Sequence, residues 1–201
     1  MEQSTTYLIT QFVIAAGTVT VCILAIWGER IRSYVSRPRL ELRLHDSRGD
    51  LTWRRGGVQT IYYHVKVRNK RQWAAARHVR ILCSSIWKKA ADGSFVREPL
   101  AFPVQLTWPF RKVEDMPTIV VDDICDFGYL DVDSDQFKPS LYVYPNNFRG
   151  LVGTGETVRF GLIAKADNFT SKRPCVLEVS WDGKWNADLE EMQKHLVVRE
   201  L

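Results

Sequence analysis

Carboxylates, histidines and cysteines are the residues of this chain with the capacity for chemistry. Asp131-Val132-Asp133-Ser134-Asp135 alternates carboxylates in the way that opens a calcium loop, because hard divalent cations take several oxygen ligands. The loop pattern next requires Gly and then Glu. Gln136 and Tyr142 stand at those places, so the segment reads as a solvated acidic loop. Asp122, Asp123 and Asp126 bracket Ile124 and Cys125. Paired carboxylates do acid–base work when their surroundings separate their pKa values, which needs a histidine or an apolar wall to converge on them. The plainer expectation is a polar face followed by its turn. His45, His64, His78 and His195 show no HxH or HExxH spacing and no nucleophile motif accompanies them. His45 and His64 fall on the polar phase of alternating runs, where exposure is expected. Cys22, Cys83, Cys125 and Cys175 show no CxxC spacing, which argues against a zinc site. No catalytic residue, cofactor site or metal site is assigned, and the chain is expected not to be an enzyme.

The elements that would position these residues are strands. Leu40, Leu42 and Leu44 alternate with Glu41, Arg43 and His45; Tyr63, Val65 and Val67 alternate with His64, Lys66 and Arg68. The same period of two runs through Val79, Ile81 and Cys83, through Val158, Phe160 and Leu162, and through Leu177, Val179 and Trp181. Such alternation marks half-buried strands. Turn signals separate the runs: Ser47-Arg48-Gly49-Asp50, Arg55-Gly56-Gly57, Ala91-Asp92-Gly93, Pro145-Asn146-Asn147, Gly153-Thr154-Gly155 and Asp182-Gly183. Short strands with regular turns predict an all-β antiparallel sandwich over residues 39–201. A short helix is expected from Ala187 to Lys194, just before a last strand from His195 to Glu200. The stretch from Pro99 to Pro145 is longer and less regular than the rest.

Ahead of this domain, Tyr7 to Trp27 carries no charged side chain. At about 1.5 Å of rise per residue this run matches the hydrocarbon thickness of a bilayer. Tyr7 and Trp27 stand at its ends, where amphipathic rings favour the interface. Residues 1–6 read as a short tail, 7–27 as a transmembrane helix and 28–38 as a basic juxtamembrane linker ended by Pro38. The tail has no Lys or Arg, unlike the n-region of a secretory signal peptide, so the helix is expected to be a retained anchor. Arg30, Arg32, Arg37 and Arg39 follow it directly, and the positive-inside rule then places the N-terminus outside and the C-terminal domain in the cytoplasm. Reduced thiols are expected there. An inter-sheet Cys83–Cys175 pair and the sequon at Asn168 are signals in the opposite sense.

Net charge is +5, with an asymmetry. From Gly28 to Pro99 there are seventeen Lys/Arg against six Asp/Glu, and from Leu100 to Leu201 eleven against sixteen. The basic half suits either anionic lipid of the inner leaflet or pairing with the acidic half inside the domain. Its basic residues alternate with apolar ones rather than forming a stripe, so nucleic acid is not expected as a partner. Lys70-Arg71-Gln72-Trp73 places an aromatic on a basic loop, which suits a partner surface or a membrane interface. Within the anchor, Gln11, Ala15, Thr18, Cys22 and Ala25 recur at spacings of four and three. They form one seam of small and weakly polar side chains that would let helices of several copies associate.

Val65-Lys66-Val67-Arg68-Asn69, followed after a loop by Ala76-Arg77-His78-Val79-Arg80-Ile81, resembles the paired strands of immunoglobulin-like adhesion-type modules of bacterial proteins. Gly155-Glu156-Thr157-Val158 is similar to a later turn-into-strand step of those modules. The resemblance covers about forty residues and implies an immunoglobulin-like β-sandwich and no activity. The functional expectation is therefore a single-pass membrane-anchored binding or scaffold module that engages a protein partner at the inner membrane face. The alternative is an effector or sensor whose transmembrane helices form a homo-oligomer or perturb the bilayer.

Overall fold

A computed structural model describes residues 2–54, 56–109 and 113–201, without the side chains of residues 2–6, 29 and 31–33. The chain divides into two compact units at the Arg37/Pro38 junction.

The first unit is helix α1, Glu2–Val35. Its segment Tyr7–Gly28, with a mean hydropathy of 2.2, is long and apolar enough to cross a membrane. Thr18 and Thr20 donate their hydroxyls to the carbonyls of Ile14 and Ala16, so these polar groups are satisfied within the helix, as a lipid environment requires. The helix extends past the 28–38 segment's expected start as a linker. Gly28 costs only about 1 kcal/mol against alanine in a helix interior, and the residues after it continue the turn until Val35. Residues 36–39 alone connect α1 to the first strand.

The second unit is all-β but for one short helix. Its strands are β1 (Leu40–Leu44), β2 (Asp50–Trp53), β3 (Gln59–Asn69), β4 (Ala76–Lys89), β5 (Phe95–Glu98), β6 (Val104–Gln105), β7 (Met116–Ile119), β8 (Asp122–Asp131), β9 (Gln136–Pro139), β10 (Val152–Gly153), β11 (Thr157–Ala166), β12 (Phe169–Thr170), β13 (Cys175–Trp181) and β14 (Leu196–Glu200). Helix α2, Leu189–His195, precedes β14 and matches the expected helix to within two residues. Asp188 caps it, accepting from the amides of Glu190 and Glu191.

Among the described residues the strands form two antiparallel sheets. One runs β1-β3-β8-β9-β10 with β2 on β3; the other runs β14-β13-β11-β4-β5, with β12 on β11 and β6 and β7 on β4. The turns lie where the sequence signals them: Gly49, Gly56, Gly57, Gly93, Gly155 and Gly183 all have positive φ, a region open to glycine without a Cβ clash. Ile61, Tyr63, Val65 and Val67 of β3 are fully buried, and Val158, Phe160 and Leu162 of β11 are buried across the core. The edge of Phe127 (β8) meets Phe160 at 5.4 Å between ring centroids, joining the two sheets through the apolar layer. The fold is thus sandwich-like.

Two polar arrangements hold this frame. Asn69 is wholly buried at the end of β3. Its amide nitrogen donates to the carbonyls of Ala74 and Ile119, and its amide oxygen accepts from the backbone of Arg39 and Arg71. One side chain thereby ties the entry of the domain to the loop between β3 and β4 and to the end of β7. Glu178 of β13 is buried although it falls on the polar phase. Arg159 and Arg199, its neighbours on the two flanking strands, close over it at 2.7 Å and 2.5 Å. Burial opposes ionisation of Glu178, and the hydrogen bonds from Arg159 and Arg199 overcome that and hold its pKa below the ordinary value.

All four cysteines are free thiols. Cys83 and Cys175 both pair with Leu162, on opposite sides of β11. They stand two strand spacings apart, about 10 Å, beyond the reach of a disulfide, and lie in one sheet rather than across two. Burial pushes the Cys83 thiol up to about 12 and raises that of Cys125.

Replacing Asn69 by alanine leaves buried backbone groups unpaired and should lower the stability of the domain by about 2 kcal/mol or more, read from urea unfolding of the full chain in mild detergent. The Glu178 carboxylate stabilises the fold above the ordinary carboxylate pKa and loses that contribution as pH falls through its depressed folded value. Between about pH 5 and pH 3 the unfolding midpoint of the wild type should therefore fall more steeply than that of Glu178→Gln.

Candidate functional site

The alternation that drives Ile61, Tyr63, Val65 and Val67 inward directs Tyr62, His64 and Lys66 to the outer face of the first sheet. β8 lies beside them. Its register with β3 shifts between Tyr63 and His64, a β-bulge that sets Asp126 directly opposite His64. Bulges re-aim side chains and recur beside functional sites. β2 supplies Asp50 opposite Tyr62 on the other flank.

The outcome is a groove of about 1220 Å³ on the sheet's outer face, with Pro109 and Met116 on one wall and Trp53 at the rim. His64 lines it with only 15 % of its side chain exposed, so the exposure expected from its strand phase is corrected. The walls of the groove shield it. Its Nδ1 lies 2.9 Å from Asp126 Oδ1, a close polar contact off the line of a directed hydrogen bond. Its Nε2 lies 3.3 Å from Asp50 Oδ2. The Tyr62 ring is nearly parallel to the imidazole and tilts against Tyr129 at 5.5 Å. Arg54 stacks over Tyr129 at 4.7 Å and reaches both oxygens of Asp131 at 3.2 Å. Burial raises the Tyr62 phenol pKa, with Arg54 opposing and Asp126 adding to the rise. Tyr62 is therefore a neutral hydrogen-bonding group at neutral pH.

The sequence clusters fall out as follows. Asp126 converges with His64, which the sequence left open. Asp122 instead pairs with Lys66 at 2.8 Å. Asp131 is held within the domain: Thr60 donates to it at 2.7 Å and Arg54 covers it. The halves of opposite charge pair in part, through Arg54–Asp131, Lys66–Asp122 and Lys88–Glu156. Lys70 reaches Glu41 at 2.7 Å, Arg71 is half-buried and Trp73 is 73 % exposed. Gln11, Ala15, Thr18, Cys22 and Ala25 all lie on α1 with exposed side chains. Arg30, Arg37 and Arg39 are exposed, and the Arg32 side chain lies outside the described residues. A second cavity of about 580 Å³ is lined by Lys88, Glu156, Glu98 and Arg149, which pair with one another.

Tyr62, Tyr129, Arg54 and Trp53 were not singled out as site residues in the sequence. The signal available was the polar phase of the 59–69 strand, which carries Tyr62 and His64 together. Both nitrogens of the imidazole face carboxylates, and the hydroxyl of Thr52 is the only serine or threonine hydroxyl lining the groove among the described residues.

The chain matches no family model, no curated protein and no solved structure with which it was compared.

The bulge leaves no room at Gly128 of β8. A Cβ there would overlap the Phe137 ring and lie 2.8 Å from the Lys138 carbonyl. Gly128→Ala should destabilise the domain by about 1–3 kcal/mol through overpacking. It should also perturb the NMR signals of Tyr129 and His64, whereas Gly17→Ala, on α1 with nothing within 4 Å of the added Cβ, should leave those signals in place.

Proposed function

We propose that the protein is a single-pass membrane-anchored binding module whose domain lies on the cytoplasmic side and holds a protein partner in the groove of its first sheet. The apolar helix Tyr7–Gly28 is the anchor in this proposal, with the arginines after it setting its orientation. The immunoglobulin-like affinity of the sandwich belongs to the same proposal and rests on the strand and turn residues named above.

The observation that carries it is the groove. It falls at about the upper limit of ordinary ligand pockets, roughly 300–1,000 Å³, and suits a side-chain-bearing segment. Asp50, Asp123, Asp126, Asp131 and Asp133 line it against Arg54, so its balance is acidic. Tyr62, stacked on His64, and the rim residue Trp53 add aromatic faces. Acidic groups beside aromatic faces suit a basic side chain, attracted by charge and by the ring quadrupole. Aromatic residues at the centre of such a surface carry most of the binding energy in known interfaces.

A photoreactive amino acid placed at Trp53, on the rim, tests this in native membranes. One defined protein should be captured, and Asp50→Asn with Asp126→Asn should cut the yield tenfold or more while the domain still unfolds cooperatively. Capture that is unchanged by these two substitutions, or no capture at Trp53, would overturn the groove as the binding site.

A further inference from the structure

The loops around the point where the chain enters the domain carry apolar groups on their outside. Arg39 is held by Asn69 through its amide and accepts from the Lys70 amide through its carbonyl. The Asn69 amide donates to the carbonyl of Val121 at 2.7 Å, and its side chain donates to the carbonyl of Ala74, next to Trp73. β4 and β7 pair at Ala76 and Ile119, closing the same cluster from the other side. The buried amide of Asn69 thus gathers Arg39, Lys70, Trp73, Val120 and Val121 at one end of the domain. Trp73 is 73 % exposed, Val120 48 % and Val121 47 %. Arg39 and Arg68 are exposed beside them.

We propose that this end of the domain rests on the membrane surface, with Trp73, Val120 and Val121 entering the headgroup region and Arg39, Arg68 and Lys70 facing anionic lipid. This inference rests on the anchored reading above and adds a second attachment to it. The occupant follows from chain length. Val35, the last helical residue, and Arg39 are four residues apart, a reach of at most about 14 Å. The loops clamped to Arg39 are therefore tied to the end of the anchor helix by a short stretch of chain. Their composition fits that place, since tryptophan with basic neighbours favours the interface between lipid and water. Lys70 is paired with Glu41 and Asp122 with Lys66, so the cationic groups at the tip are Arg39 and Arg68 before Lys70.

The full chain, reconstituted in vesicles of phosphatidylcholine with phosphatidylserine, tests the proposal when part of the lipid is brominated on the acyl chain. Bromine quenches a nearby indole, so comparison of the wild type with Trp73→Phe and with Trp27→Phe separates the two residues. Trp73 is exposed, and its replacement by phenylalanine, which keeps an aromatic ring there, is expected to leave the unfolding midpoint at the wild-type value. The expected result is a quenched component that disappears in Trp73→Phe, together with amide exchange in residues 69–76 and 119–122 at least fivefold slower in vesicles than in detergent. Quenching of Trp27 with none of Trp73 would overturn the surface contact and leave the anchor standing. Absence of quenching at both, with the protein failing to float with the vesicles, would overturn the anchor and this proposal with it. Protection that grows with the protein-to-lipid ratio, without quenching of Trp73, would assign the patch to a second copy of the chain and overturn the lipid assignment.

Discussion

The pairing of β3 with β8 is the constraint on which the rest of this domain depends. It is the longest shared edge of the first sheet, running from Thr60 opposite Asp131 to Arg68 opposite Asp122. One face of that ribbon supplies Ile61, Tyr63, Val65, Val67, Cys125, Phe127 and Leu130 to the core. The other supplies the groove. A sheet has a side-chain period of two, so fixing the buried set also fixes what faces outward. Core and site are therefore two consequences of one register, and a slip that moved either would move both.

The bulge refines that register. Without the extra residue at Phe127, the side chain opposite His64 would not be that of Asp126. Aromatic packing holds the irregular step: Phe127 meets Phe137 and Phe160, and Phe137 meets Tyr63. Gly128 permits the close approach of β9. The polar chemistry of the outer face thus stands on apolar contacts beneath it, and the interior fills the space that the bulge opens. Two buried polar side chains of the domain are each held by several partners. Asn69 has partners for both ends of its amide, and Glu178 is closed between two arginines.

Much of the frame was legible in the sequence. Leu40, Leu42 and Leu44 and the alternating residues of β3, β4, β11 and β13 gave strands, and the glycine turns fell where left-handed backbone was needed. β8 is the longest of the strands that were not read from the sequence. Asp122, Asp123, Asp126 and Asp131 hide its apolar positions, and the bulge shifts their phase between Phe127 and Gly128, so no single period fits the segment. The linker read at 28–38 was mostly helix for a different reason. Charge marks the end of a span across lipid, but it does not end a helix.

Local order along the chain was enough to determine the apolar helix, the strands with regular alternation, the turns and the basic flank after the helix, because each depends on neighbours a few residues apart. Tertiary structure alone decided that His64 meets Asp126 and Asp50, that Arg54 covers Asp131, and that Cys83 and Cys175 stand on either side of Leu162. These are contacts between strands far apart in sequence. Their partners are selected by register and by packing of the common core, and neither quantity is written in the period of any one strand.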